Sequence, residues 1–364
     1  MTDLRRTARP GPPLVALLLA VTLATAACGS DPEPAAEASD DIAGTTVTLM
    51  THDSFNVSEE VLEEFEGSTG ATVEILRGGD AGTMVNQAIL SRDNPQADVL
   101  FGIDNTFLSR ALDEGLFVPH APEALEYVDA AFVVDDEHRV TPIDHGDVCL
   151  NYDVAYFADN DVPVPTALED LTDPAYAGDL VVTNPATSSP GLAFMLATIE
   201  HFGEDGWLDY WEDLRAADVA VTPGWEDAYY GRFSGASADG ERPLVLSYAS
   251  SPPAEVHYAE TELEEAPTGV IEGSCFRQIE FAGALEGAGN EPGARQLIDF
   301  MLSERFQEDI PLQMFVFPVN ERATLPEVFV EHAVVPDDPI DMDYRRAGEH
   351  REEWVEEWTQ TVLR

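Results

Sequence analysis

Residues 45–104 read TTVTLMTHDSFNVSEEVLEEFEGSTGATVEILRGGDAGTMVNQAILSRDNPQADVLFGID. Three short β-branched or apolar runs, 45–50, 71–76 and 97–103, alternate with stretches whose apolar residues recur at helical spacing. In the first such stretch Val61, Leu62 and Phe65 share a face, with Asn56 and Glu59 as a capping pair and Gly67 as a stop. In the second, after Gly78 and Gly79, the face is Met84, Val85, Ala88 and Ile89, and a third helix is expected over 105–114, ended by Gly115. Strict alternation of strand and helix implies a parallel sheet covered by helices. Ligands of such sheets sit beyond the carboxyl ends of strands, which directs attention to residues 51–55 and 104–106.

Outward from this stretch, the chain leaves the unit over 142–152, and residues 151–258 read as a second α/β unit. It returns near 273–281 and continues into a helix over 292–302. Two crossings make a two-lobed clamp with a cleft between the lobes, and such a clamp closes on a ligand about its hinge. The expected organisation is a first lobe over 45–143, a second over 144–272, and 273–364 completing the first with C-terminal helices. Trp354 and Trp358, four residues apart, mark the apolar face of a terminal helix.

The amino terminus reads as an export signal over 1–27: Arg5, Arg6 and Arg9 precede an apolar run, 14–23, that is too short to span a bilayer permanently. Thr25-Ala26-Ala27-Cys28 resembles a bacterial lipobox, with Cys28 carrying the lipid; an ordinary small-residue cleavage site is the alternative. Residues 28–44 are poor in apolar side chains and read as a disordered tether. The expected location is the outer face of the cell membrane, reached through the anchor at Cys28.

With 18 basic residues, all Arg, against 70 acidic ones, the formal charge is −52. A phosphate backbone needs a basic stripe that this chain lacks, so nucleic acid is excluded as a partner. The acidity fits a cationic ligand, but a solvated, self-repelling surface suited to a salty medium is the stronger reading of it. Cys149 and Cys275 remain once Cys28 is set aside, and in an exported chain they are expected to pair, with two buried thiols as the alternative.

Candidate binding residues fall in three groups. Thr187, Ser188, Ser189 and Gly191 precede an apolar helix, with Ser189 as N-cap and Pro190 at N1, which makes a cradle for an oxyanion or hydroxyl. Trp225, Tyr229, Tyr230, Tyr248, Phe315 and Phe317 offer flat faces for a heterocycle or a cation. Asp53 and Asp104 follow strands, where a carboxylate accepts from an amine or caps a helix. The eight histidines, His52, His120 and His145 among them, fit no nucleophile elbow or metal pattern, so no cofactor, metal or catalytic residue is expected.

These segments together resemble the thiamine-binding proteins of ABC transporters, a branch of the periplasmic-binding-protein type II fold. The resemblance rests on Asp53-Ser54-Phe55, Gly102-Ile103-Asp104-Asn105, Thr187-Ser188-Ser189-Pro190-Gly191, Gly224-Trp225-Glu226-Asp227-Ala228-Tyr229, Leu246-Ser247-Tyr248 and Ile310-Pro311 with Pro318-Val319. It implies thiamine or a thiamine phosphate between the lobes, with Trp225, Tyr248 and Phe315 as aromatic walls and Asp104 as polar or charge partner. The 187–191 segment would face the hydroxyethyl or phosphate end. His52, Phe315 and Ala186 stand where relatives carry Tyr, Trp and Arg. Permease subunits of an ABC importer are the implied protein partners, and no enzymatic activity is implied. The alternative ligand is ferric ion, suggested by Tyr229-Tyr230 as paired phenolate donors.

Overall fold

The computed structural model describes residues 41–364. The expected signal peptide, lipobox and Cys28 lie outside the described residues. One mixed sheet runs through the molecule in the order β2-β1-β3-β9-β5-β8-β6-β7. Its strands are β1 Thr46–Thr51, β2 Thr72–Arg77, β3 Val99–Asp104, β4 Phe117–Val118, β5 Thr141–Asp153, β6 Leu180–Thr183, β7 Ala220–Thr222, β8 Leu244–Tyr248, β9 Thr268–Leu285 and β10 Phe317–Pro318. Strands β1 to β3 are parallel to one another, as are β6 to β8, and the two sets are joined through the long antiparallel pair β5 and β9. The first set and its helices make one lobe, the second set the other. The two long strands are the crossing segments, which gives the type II two-lobed architecture with a cleft between the lobes.

β5 and β9 are paired over nearly their whole length, with register breaks at Pro142/Asp144 and Val148/Leu150. Cys149 sits at the second break and is disulfide-bonded to Cys275, 126 residues away. Closing a loop of that length removes denatured-state entropy worth about 5 kcal/mol in the chain-entropy model. Ser274 also bridges the break, accepting from the Leu150 amide at 2.8 Å and donating to the Ile271 carbonyl at 2.7 Å.

Local boundaries depart from expectation where side chains outside the periodic pattern take part. The first helix spans Glu59–Thr69 with Ser58 at its N-cap position and Gly70 as its left-handed end, so Gly67 lies inside it. Asn56 does not cap; its amide donates to Gln313 at 2.7 Å. The third helix begins only at Leu108, because the Asp104 carboxylate takes the Thr106 and Phe107 amides and holds 104–107 as a turn. Ile42 is buried in the first-lobe core, so the tether ends before it rather than at Gly44.

The terminal helix Tyr344–Leu363 buries Trp354 and Trp358, as its spacing predicts. It does not stay within the first lobe. Trp358 meets Trp211 edge-on at 5.3 Å on the second-lobe helix Trp207–Ala216, while Arg351 lies over Phe107, 4.5 Å from the ring centre, beside the first-lobe helix Leu108–Asp113. No helix among the described residues is long and apolar enough to cross a membrane.

Candidate functional site

The carboxyl ends of β1 and β3 in one lobe and the loop before the helix Ser189–Phe202 in the other meet at the cleft. A cavity of about 740 Å³, counted to its open mouth, lies there. Of the sequence candidates, Ser189, Trp225, Tyr229, Tyr230, Tyr248 and Phe315 line it. Its carboxylates are Asp80 and Glu280, and no Arg lines it.

The second-lobe wall is a stack. Trp225 lies on Tyr229 with ring centres 5.0 Å apart and planes 20° from parallel, and its edge contacts Tyr230 and Tyr248. The indole N–H donates to Ser247 at 2.9 Å, which locks the ring's rotation. Tyr229 is almost fully buried and donates its hydroxyl to Glu255 at 3.1 Å, so it backs the indole. Burial and the Glu255 charge hold the Tyr229 phenol well above its ordinary pKa, which disfavours a phenolate ligand for iron.

Opposite stands Phe315, a bulky residue in the left-handed region at φ 54°. That conformation costs a non-glycine residue roughly 1–3 kcal/mol. Its ring meets that of Tyr258 edge-on at 5.6 Å. Two hydrogen bonds hold the lobes together below it. The Trp225 amide donates to Asp80 at 3.0 Å, and the Gly82 amide donates to the Thr187 carbonyl at 3.0 Å. A Cβ at Gly82 would come within 2.8 Å of that carbonyl oxygen, so only glycine permits the approach. The cleft is therefore in its closed form.

The floor is acidic. Asp104 on β3 stands in register with Glu280 on β9, and Glu280 stands in register with Asp144 on β5. Asp104 is fully buried beneath the cavity, not on its surface. Burial pushes its carboxyl up to about 6, against hydrogen bonds from Thr106 and the Phe107 amide, with the Glu280 charge adding to the rise. Burial, then the Glu280 charge, holds Asp144 well above the usual carboxyl range. His52 Nε2 lies 3.6 Å from Glu280. Burial opposes its imidazolium, but Glu280, with Asp80 and Asp53, outweighs that and raises its pKa. Gly102, at φ 90°, leaves the room for this ring: a Cβ there would stand 2.2 Å from the imidazole.

The 187–191 segment differs from the expected oxyanion cradle. Ser188, not Ser189, is at the N-cap position, and the Thr187 and Ser188 amides both donate to the Asn184 carbonyl. Ser188 faces Asp80 and Ser189 faces Asp104, but neither hydroxyl closes a hydrogen bond to its carboxylate. Gly191 is a packing glycine against the Thr183 carbonyl. Asp53 and Thr187 line an adjoining groove that shares Ser54, Asp80 and Trp225 with the cavity. Sequence reasoning missed Asp80 and Glu280. Asp80 was legible as an N-cap before the helix Ala81–Leu90, while Glu280 carries no local signal in a strand.

A hinged clamp of two lobes, shut over a cavity walled by aromatic rings, defines a solute-binding protein. The chain belongs to the bacterial extracellular solute-binding protein family, whose model matches residues 94–341. It is a binding protein of transport, not an enzyme. Among similar proteins is the thiamine-binding periplasmic protein of Brucella suis biovar 1, 28% identical over 337 residues that cover 91% of this chain and 95% of that one. The thiamine-binding periplasmic protein of Escherichia coli K12 is 28% identical over 324 residues, covering 87% of this chain and 94% of its own. A solved structure described as a periplasmic thiamin binding protein superposes with a TM-score of 0.77 at 26% identity, covering 88% of this chain and 96% of that one.

Proposed function

We propose that this protein captures thiamine outside the cytoplasm and hands it to the permease of an ABC importer, held near the membrane by a lipid on Cys28. The observation that carries the ligand is the cleft's composition: the Trp225 stack and Phe315 above, Asp80 and Glu280 below, and no Arg in the lining. A cationic thiazolium gains from both the ring faces and the carboxylates, by roughly 0.5–2 kcal/mol per desolvated cation–π contact. Asp80 and Glu280 suit the aminopyrimidine as acceptors. The similarity to proteins named for thiamine binding supports the same ligand.

A phosphate would meet carboxylates without a guanidinium to balance it, and the Thr187 and Ser188 amides are already engaged. The reading is therefore free thiamine ahead of its mono- or diphosphate. Trp225 reports the test directly. Titration with thiamine should quench tryptophan fluorescence saturably at submicromolar ligand, and Trp225→Ala should weaken binding roughly tenfold. Thiamine diphosphate should bind more weakly than thiamine. A folded sample unresponsive to thiamine, or one preferring the diphosphate, overturns the reading.

A further inference from the structure

Three carboxyl groups stand in a row across adjacent strands beneath the cleft, Asp104, Glu280 and Asp144, each in register with the next. Cross-strand partners share a face of the sheet, and like charges directly opposite repel. Only Glu280 reaches the cavity; Asp104 and Asp144 are fully buried. Neither oxygen of Asp144 has a close partner apart from the Glu280 carboxyl, and Oδ2 of Asp104 has no close hydrogen bond. One buried acid with neither oxygen hydrogen-bonded and a second with one oxygen left over, flanking a third at the floor of a binding cleft, exceed what sheet packing needs.

The surroundings do not neutralise the row. Arg351, from the terminal helix, faces Asp104 at one end. His52, following β1, stands 3.6 Å from Glu280 and is itself shared with Asp80. Tyr248 on β8 faces Glu280 as a neutral phenol, and the Gln278 amide lies 3.4 Å from it. Asp144 is faced by no charged group except Glu280. In this dry site, burial and the neighbouring Glu280 charge make Asp144 keep a proton where an isolated carboxyl would have lost it.

We propose that this row exchanges a proton for the ligand's positive charge: in the empty cleft Asp144 holds a proton beside Glu280, and a cationic ligand seated on Glu280 replaces it. The O–H bond breaks, its electron pair stays on the carboxyl oxygen, and the proton leaves to solvent through the cleft mouth. The fixed charge of the thiazolium then balances the second carboxylate. Asp144, which does not reach the cavity, acts as a positioning residue for charge. The proposal rests on thiamine as the ligand, and it makes the cleft a discriminator of cations from neutral heterocycles of the same shape.

Calorimetry of thiamine binding at pH 6 in two buffers of different ionisation enthalpy tests it on the purified chain. About one proton should be released per thiamine, and affinity should rise up to tenfold per pH unit while Asp144 still holds its proton. Asp144→Asn should bind thiamine with proton release near zero and with a pH profile much shallower than that of the wild type. Thiochrome, an uncharged oxidation product of thiamine, should release no proton from the wild type. Thiamine binding without proton release, or release that persists in Asp144→Asn and vanishes in His52→Gln, overturns the exchange while leaving the ligand assignment intact. Absence of thiamine binding at every pH removes the ligand assignment, and the exchange with it. If Asp144→Asn does not fold, the wild-type buffer comparison alone decides.

Discussion

Two buried residues set opposing pH dependences of stability. His145 is stacked between Phe132 at 4.6 Å and Phe317 at 5.4 Å. Burial, helped by the Arg277 charge, lowers its pKa to about 4. The unfolded chain then binds more protons between about pH 4 and 6.5, so this group's contribution falls by roughly 3 kcal/mol as pH drops through that window. Asp104 is the reverse. Its carboxyl is raised to about 6 in the fold, so the folded state binds the extra proton and stability falls as pH rises from the unfolded value near 4. Asp104→Asn removes the second dependence only. The variant should gain on the wild type by up to about 3 kcal/mol between pH 4 and pH 7, measured by urea denaturation at each pH. A gap that stays constant with pH would mean that Asp104 titrates normally in the fold.

At the scale of elements, the terminal helix decides how the lobes are tied. Trp358 is fully buried against Trp211, and Arg215 on the same second-lobe helix donates to the Thr361 carbonyl at 2.7 Å. The helix also covers Phe107 and lies beside the Leu108–Asp113 helix of the other lobe. Trp358→Ala should cost about 3–5 kcal/mol in chemical denaturation, the range for truncating a buried aromatic. A loss below 1 kcal/mol would mean that the helix does not dock there. The hinge pair β5 and β9 carries the Cys149–Cys275 link at its register break, so the strands that must flex are joined where their pairing is weakest.

For the whole molecule, charge dominates. A formal charge of −52 spread over a small surface repels itself, and salt screens it over a Debye length of about 10 Å at 0.1 M. Thermal melts should therefore shift upward from 50 mM to 1 M NaCl. An unchanged or falling midpoint would show that the acids are already balanced in the fold. The ion pairs that exist are few for such a sequence, because 18 Arg side chains face 70 carboxylates. One of those, Arg277, is spent on Asp147 next to the disulfide at 2.6 Å.

Periodicity alone determined the strand and helix alternation, because burying one face writes its own spacing into the chain; Val61 and Phe65, Met84 and Val85, and Trp354 and Trp358 all point inward as that spacing requires. The cysteine pairing was legible from number and compartment, and Trp225, Tyr229, Tyr248 and Phe315 from their aromatic character in segments near strand ends. Tertiary structure alone decided which candidates line the cavity and which lie beneath it: Trp225, Tyr229, Tyr248 and Phe315 line it, and Asp104 lies under the floor. It alone aligned Glu280 with Asp104 and Asp144, residues 176 and 136 positions from it in the chain, because strand register is a property of pairing and leaves no mark on any one segment. It also sent the terminal helix across to the second lobe, since an apolar face records that it must be covered and not by what.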